Sequence, residues 1–140
     1  MSAIQFFVRG HPVGQGSKRH VGRGILIESS KDLQPWRQAI AHAAAAEANG
    51  SKLTGPLELH VCFWFQRPSS HFGTGRNAGY VKGKAPSWRE QNPDLDKLLR
   101  ALFDGLTASG IIRDDRFIAR VVAEKRFGDP GVLVEVRELG

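Results

Sequence analysis

The chain has little cysteine, few acidic residues for its basic ones, and no long apolar run. Its single cysteine, Cys62, has no partner for an internal disulfide and rules out a cysteine-rich zinc site. No apolar run approaches the roughly 20 residues needed to span a bilayer. The segment from Met1 to Arg9 lacks the basic start and apolar core of a secretion signal. A cytoplasmic protein with no membrane role is therefore expected. Several catalytic signatures are also missing. The five histidines, His11, His20, His42, His60 and His71, show neither an HExxH pattern nor paired zinc spacing. There is no Gly-x-Ser-x-Gly elbow. Gly14-Gln15-Gly16-Ser17-Lys18 falls short of a Walker loop, which needs four residues between its glycines and a Lys-Ser/Thr pair leading into a helix. It reads better as a basic phosphate-contact loop, and no small-molecule cofactor is expected.

Twenty Lys+Arg stand against fourteen Asp+Glu, a formal charge of +6. That surplus favours polyanionic partners. The alternative is a basic structural subunit with no nucleic-acid role. A length of 140 residues, 41% of them hydrophobic, suits one domain spanning 1–140 with a real core.

Ile4 to Val8 reads as a first strand and Ile25 to Ile27 as a short second one. Between them runs a Gly-rich basic loop containing Lys18, Arg19 and Arg23. Pro35 marks a helix start, with Trp36, Ile40, Ala43, Ala44 and Glu47 on helical spacing and Asn49-Gly50 as its stop. Leu57, Leu59, Val61, Phe63 and Phe65 then alternate with Glu58, His60, Cys62 and Trp64, as in a strand. Cys62 reads as a buried structural thiol. Gln66 to Glu90 has no periodicity. It carries Arg67, His71, Arg76, Lys82, Lys84 and Arg89 with Phe72, Tyr80 and Trp88 among them. This long basic loop suits backbone neutralisation with base stacking, and equally a solvated insertion. Leu95, Leu98, Leu99, Leu102 and Leu106 form the apolar stripe of a helix from about Asp94 to Leu106. Asp96, Lys97, Arg100 and Asp104 fall on its polar face, and Gly110 follows it. Phe117 to Phe127 and Val132 to Val136 read as final strands around the turn Gly128-Asp129-Pro130-Gly131. The expected architecture is α/β (α+β): a mixed sheet with two main helices packed on it. Strand order cannot be read from this pattern.

The helix head Asp94-Leu95-Asp96 sets two carboxylates two residues apart, and Asp114-Asp115 follows the helix. Hard cations such as Mg²⁺ need few protein oxygens when substrate phosphates supply the rest. Asp94, Asp96 and Asp115 are therefore candidate metal ligands that would polarise a phosphate and acidify a bound water. Arg100, one turn below Asp96, would stabilise charge on the phosphate. The same residues also fit a helix cap, ordinary i, i+4 pairs (Asp96–Arg100 and Arg100–Asp104) and an acidic turn. Spacing alone does not decide between these readings.

The run from Asp94 to Leu106, followed by Gly110-Ile111-Ile112-Arg113-Asp114-Asp115, resembles the signature of RusA-type Holliday junction resolvases. The early segment Gly10-His11-Pro12 through Lys18-Arg19, with a helix opening at Trp36, is similar to that family's amino-terminal half. The resemblance implies a RusA-like homodimer that binds four-way DNA junctions. It implies paired Mg²⁺-dependent nicks, with Mn²⁺ able to substitute, leaving 5′-phosphate and 3′-hydroxyl ends. Such an enzyme would work in recombination and repair, in a bacterial or phage-infected cytoplasm. By position, the family's metal-binding carboxylates fall on Asp94, Asp96 and Asp115, and its catalytic lysine on Arg100. Arginine keeps the charge but cannot give up a proton at ordinary pH. Lys97 stands where the family has Asn and offers another ammonium. The expected DNA-contacting residues are Lys18, Arg19, Arg23, Arg67, Arg76, Lys82, Lys84 and Arg89.

Two other functions compete with the nuclease. One is a non-catalytic architectural protein of branched DNA, its acids serving only as caps. The other is a Mg²⁺ enzyme of small phosphorylated substrates, which would not need so broad a positive surface.

Overall fold

Alternation in the aromatic strand decides which way the sheet faces. In a computed structural model that describes residues 3–16, 19–20, 26–27 and 31–140, β4 (Leu57–Phe65) buries Leu57, Leu59, Val61, Phe63 and Phe65. The period of two sends these side chains to one face and Glu58, His60, Cys62 and Trp64 to the other. The strand lies third in a four-stranded sheet ordered β1-β6-β4-β5, with β1 (Ala3–Arg9), β5 (Ile118–Phe127) and β6 (Gly131–Glu138). β1 and β4 run antiparallel to β6, whereas β4 and β5 are parallel. A parallel pair cannot be closed by a tight turn and needs a crossover, which α2 (Leu95–Ser109) supplies. The result is one α+β domain with a mixed sheet and two helices. A two-residue pair, β2 (Arg19–His20) with β3 (Leu26–Ile27), stands apart. Of the expected DNA contacts, Lys18 and Arg23 lie outside the described residues, and only the backbone of Arg19 is described, in β2.

Both helices cover the same side of the sheet. The first, α1 (Leu33–Ala48), begins two residues before the expected Pro35. Pro35 is tolerated there because N–H groups in the first turn have no intrahelical partner. Its buried stripe is Leu33, Trp36, Ile40, Ala44 and Ala48. Ala48 occupies the place expected of Glu47, which is exposed. α2 buries Leu98, Ala101, Leu102, Gly105 and Leu106 and runs on to Ser109, one turn beyond Leu106, where Gly110 closes it in the left-handed conformation. Gly105 sets the approach of the two helices. A Cβ there would stand 2.7 Å from Cγ2 of the fully buried Ile40.

The other side of the sheet carries no layer among the described residues. Phe7, Val122 and Leu133 stand exposed on it, with three acid–base groupings, of which only the Glu58–Arg120 pair crosses between strands. Arg120 and His60 flank Glu58 at 2.7 and 3.2 Å, Arg126 meets Glu124 at 3.1 Å, and Arg137 meets Glu135 at 2.9 Å. Cys62 sits here half-buried, not in the core as expected, and desolvation pushes its thiol up to about 11.

Candidate functional site

The side-chain carboxylate at the head of α2 is not used in building the helix. Asp94 is the N-cap residue, and its backbone carbonyl accepts from the N–H groups of Lys97 and Leu98, each at 3.1 Å. Its carboxylate makes no capping bond. An aspartate at an N-cap normally accepts from the second or third helical N–H, so the cap explanation does not account for this side chain. Asp96 lies in the first turn with its side chain 74% exposed, paired at 3.6 Å with Lys97. The positive pole of the helix favours both carboxylates and any phosphate brought beside them.

The expected ion pairs of Arg100 do not form among the described residues. Asp96 goes to Lys97, and Asp104 accepts from Gln15 Nε2 at 2.9 Å while Arg37 approaches at 3.5 Å. Arg100 is left exposed. The reason is tertiary: α1 and the segment after β1 reach Asp104 from the side. That segment lies along α2, with the Gln15 N–H donating to the Lys97 carbonyl at 2.9 Å. Gly14 permits the approach, since a Cβ would fall 3.0 Å from Pro93 Cβ and 3.1 Å from Lys97 Cβ.

A residue that pattern reading missed holds the turn before Asp94. Lys125 lies in the inward register of β5, paired with buried Phe63. Its ammonium donates to the carbonyls of Gln91 at 2.7 Å and Pro93 at 2.9 Å. Burial first, then the nearby Arg89, lower its pKa, and Asp94 opposes them. The available signal was a lysine in step with Val121 and Ala123 on an otherwise apolar face. Gln15 and Arg37 carried no comparable signal.

Asp114 and Asp115 divide two roles. Asp114 accepts the Arg116 N–H at 2.8 Å, capping the short turn Asp115–Phe117, and this bond lowers its pKa. Asp115 makes no such cap. Burial, then its hydrogen bond and repulsion with Asp114 and the field of Asp104, raise its pKa. Asp94 thus lies by Lys125, near the end of β5, and Asp115 just before its start. Ile118 and Lys125 are seven residues apart in the strand, about 23 Å at the usual rise. Among the described residues no group of three or more His, Cys, Asp or Glu side chains is placed to hold a metal ion. Asp94 and Asp96 are adjacent in the helix head, and Asp115 does not join them there.

The basic loop is an ordered tongue. Its arms pair through Gly73 N–H to the Tyr80 carbonyl at 3.0 Å, Lys82 N–H to the His71 carbonyl at 2.8 Å and a bridge between Phe72 and Val81. Short 3-10 turns, Ser69–His71 and Gly75–Asn77, shape it. Its basic residues fall into two sets. Arg67 stacks over Phe127 at 4.3 Å and donates to the Pro86 carbonyl at 2.8 Å, and Arg89 stacks over Phe65 at 4.4 Å. These two anchor the base, while Arg76, Lys82 and Lys84 are exposed. No acidic residue occurs from Gln66 to Arg89.

Two clefts link tongue and helix head. One, of about 640 Å³, runs between Pro12, Val13 and Gly14 on one side and Pro93, Asp94 and Lys97 on the other. The second, of about 410 Å³, is lined by Phe65, Arg67 and Arg89. They share His11, Pro12 and Pro93. A groove of about 260 Å³ on the uncovered sheet face, around His60, Cys62 and Leu133, lies on the opposite side of the sheet from the helices. Two exposed carboxylates beside a basic tongue suit a hard cation whose remaining ligands come from phosphate.

A model of the family described as endodeoxyribonuclease RusA matches residues 9–137 of the 140. No curated protein matches the chain. Among the described residues no helix is long and apolar enough to cross a membrane.

Proposed function

Because the chain belongs to the RusA family of endodeoxyribonucleases, which resolve Holliday junctions, we propose that it cuts four-way DNA junctions by paired, symmetric, Mg²⁺-dependent nicks. The products would carry 5′-phosphate and 3′-hydroxyl ends. One observation supports the placement of the chemistry: the Asp94 carboxylate sits at a helix head it does not cap, in a cleft that adjoins the basic tongue.

In this reading Asp94 and Asp96 hold the cation together with phosphate oxygens, and Mn²⁺ substitutes for Mg²⁺. The bound ion supplies Lewis-acid polarisation of the phosphate and a more acidic water. Asp115, expected as the third carboxylate, lies at the far end of α2 and is given no contact with this cation. Arg100, exposed one turn below Asp96, stabilises negative charge on the phosphate and transfers no proton. Lys97 balances Asp96. Lys125 fixes the turn that carries Asp94. Arg76, Lys82 and Lys84 neutralise the DNA backbone, while Arg67 and Arg89 keep the tongue in position.

A homodimer fits this task, because a four-way junction is roughly two-fold symmetric and both nicks must be made together. The uncovered sheet face is the proposed contact. Its acids and arginines balance one another, so it is unsuited to DNA, and Phe7, Val122 and Leu133 give it an apolar centre.

The test uses labelled four-way junction and duplex DNA, with Mg²⁺ or EDTA, beside an Asp96→Asn variant. Symmetric nicks near the junction centre are expected from the unaltered chain with Mg²⁺ alone, and junction binding in Ca²⁺ should survive the substitution. Junction binding without cutting in any divalent metal would overturn the reading.

A further inference from the structure

The geometry points to Tyr80 as a stacking residue that enters the junction at a destacked base step, with the tongue as its carrier. This inference rests on the junction-cutting reading above. Tyr80 is the one tyrosine in the chain and, at 71%, the most exposed large aromatic side chain among the described residues. The other aromatics of the segment are engaged. Trp88 lies under the Arg126 guanidinium at 4.2 Å and bridges to that strand, and half-buried Phe72 lines a hollow with Arg67 and Phe127. Tyr80 has no ring or cation contact among the described residues.

Its position is held from behind. The Tyr80 carbonyl accepts from Gly73 and its N–H donates to the Asn77 carbonyl, both at 3.0 Å. The next residue, Val81, is bridged across the tongue to half-buried Phe72, so the backbone on both sides of the ring is tied to the opposite arm. Arg76, Lys82 and Lys84, each within four residues of Tyr80 in the chain, are exposed on the same tongue, and no acidic residue occurs in it. Cations that grip phosphates around one free aromatic face are the arrangement by which single-stranded or unstacked bases are held. Duplex DNA offers no such base. The crossover of a four-way junction does, since its strands exchange there and stacking is interrupted. The tongue's base borders the cleft next to Asp94, so one bound junction can reach both. Tyr80 thereby contributes to telling junction from duplex, while the lysines serve both.

The experiment measures binding in Ca²⁺, over a range of salt, for junction and duplex with wild type, Tyr80→Ala, Tyr80→Phe and Lys82→Ala/Lys84→Ala. Tyr80→Ala should weaken junction binding about tenfold or more, leave duplex binding within about twofold and keep the salt slope. Tyr80→Phe should restore junction affinity. The double lysine variant should weaken both substrates and flatten the slope. With 2-aminopurine at the crossover, wild type and Tyr80→Phe should raise its fluorescence and Tyr80→Ala should not. A wild type that prefers and cuts junctions beside an indistinguishable Tyr80→Ala overturns the stacking inference alone. Equal losses on duplex and junction, or no rescue by Tyr80→Phe, overturn it as well. A wild type with no preference for junctions overturns the parent reading and this inference together.

Discussion

The ammonium of Lys125 donates to the carbonyl of Pro93 at 2.9 Å, so an edge strand fixes the residue that precedes Asp94. The same ammonium holds the Gln91 carbonyl, and the turn is pinned at two points on either side of Asn92. Replacing this lysine leaves a part-buried carbonyl at Pro93 and an exposed one at Gln91 without their charged donor, a loss of about 1–3 kcal/mol.

Lys125→Met should therefore lower both stability and cutting. The expected outcome is a drop of about 1–3 kcal/mol in urea unfolding and a fall in junction cutting of at least tenfold at saturating DNA, with junction affinity in Ca²⁺ nearly unchanged. Lys125→Arg should recover part of the cutting. Loss of stability with wild-type cutting would show that Asp94 does not depend on this turn.

Asp94→Ala separates cap from site. An N-cap aspartate that accepts a helix N–H is worth about 0.5–2 kcal/mol, and the Asp94 carboxylate accepts none. Stability should therefore change by less than about 0.5 kcal/mol, while Mg²⁺-dependent cutting disappears. A destabilised protein that still cuts would make Asp94 a cap.

Cys62 gives a pH signature. Burial raises its thiol to about 11, so the folded state holds the proton more tightly than the unfolded chain. The stabilising difference is complete below the ordinary thiol range and is lost as pH rises through about 11. Iodoacetamide should react much more slowly with native protein at pH 9 than with urea-unfolded protein. Cys62→Ser should cut junctions as wild type does and remove this alkaline dependence. Equal alkylation rates in both states would mean that the thiol is not shielded.

The parts of the fold visible in the sequence are those written in local periodicity. Five alternating apolar residues of β4 and the leucine stripe of α2 set two elements and their buried sides, and with α1 and the C-terminal strands they gave the layer arrangement. Strand order was not visible, because the placement of β6 between β1 and β4 depends on long-range pairing that no single stretch encodes. The site was visible as residue types and obscured as geometry. Asp94 and Asp96 were found from spacing, but only the helix terminus shows that the Asp94 carboxylate makes no cap. The i, i+4 rule misassigned Arg100 because Gln15 and Arg37, distant in sequence, reach Asp104 first. Asp114 and Asp115 look alike in sequence and differ only once the Arg116 N–H selects one of them. The tongue had no period to read, since a few cross-arm hydrogen bonds and the contacts of Arg67 and Trp88 with strand β5 order it.

Anomalous scattering from a crystal of the protein with a four-way junction, grown in Mn²⁺, tests the central claim most directly. A Mn²⁺ peak is expected within coordination distance of Asp94 and Asp96, with a phosphate oxygen in the same shell, and its loss in Asp96→Asn. A junction-bound protein that cuts in Mn²⁺ but shows the ion elsewhere, or shows none at the α2 head, would contradict it.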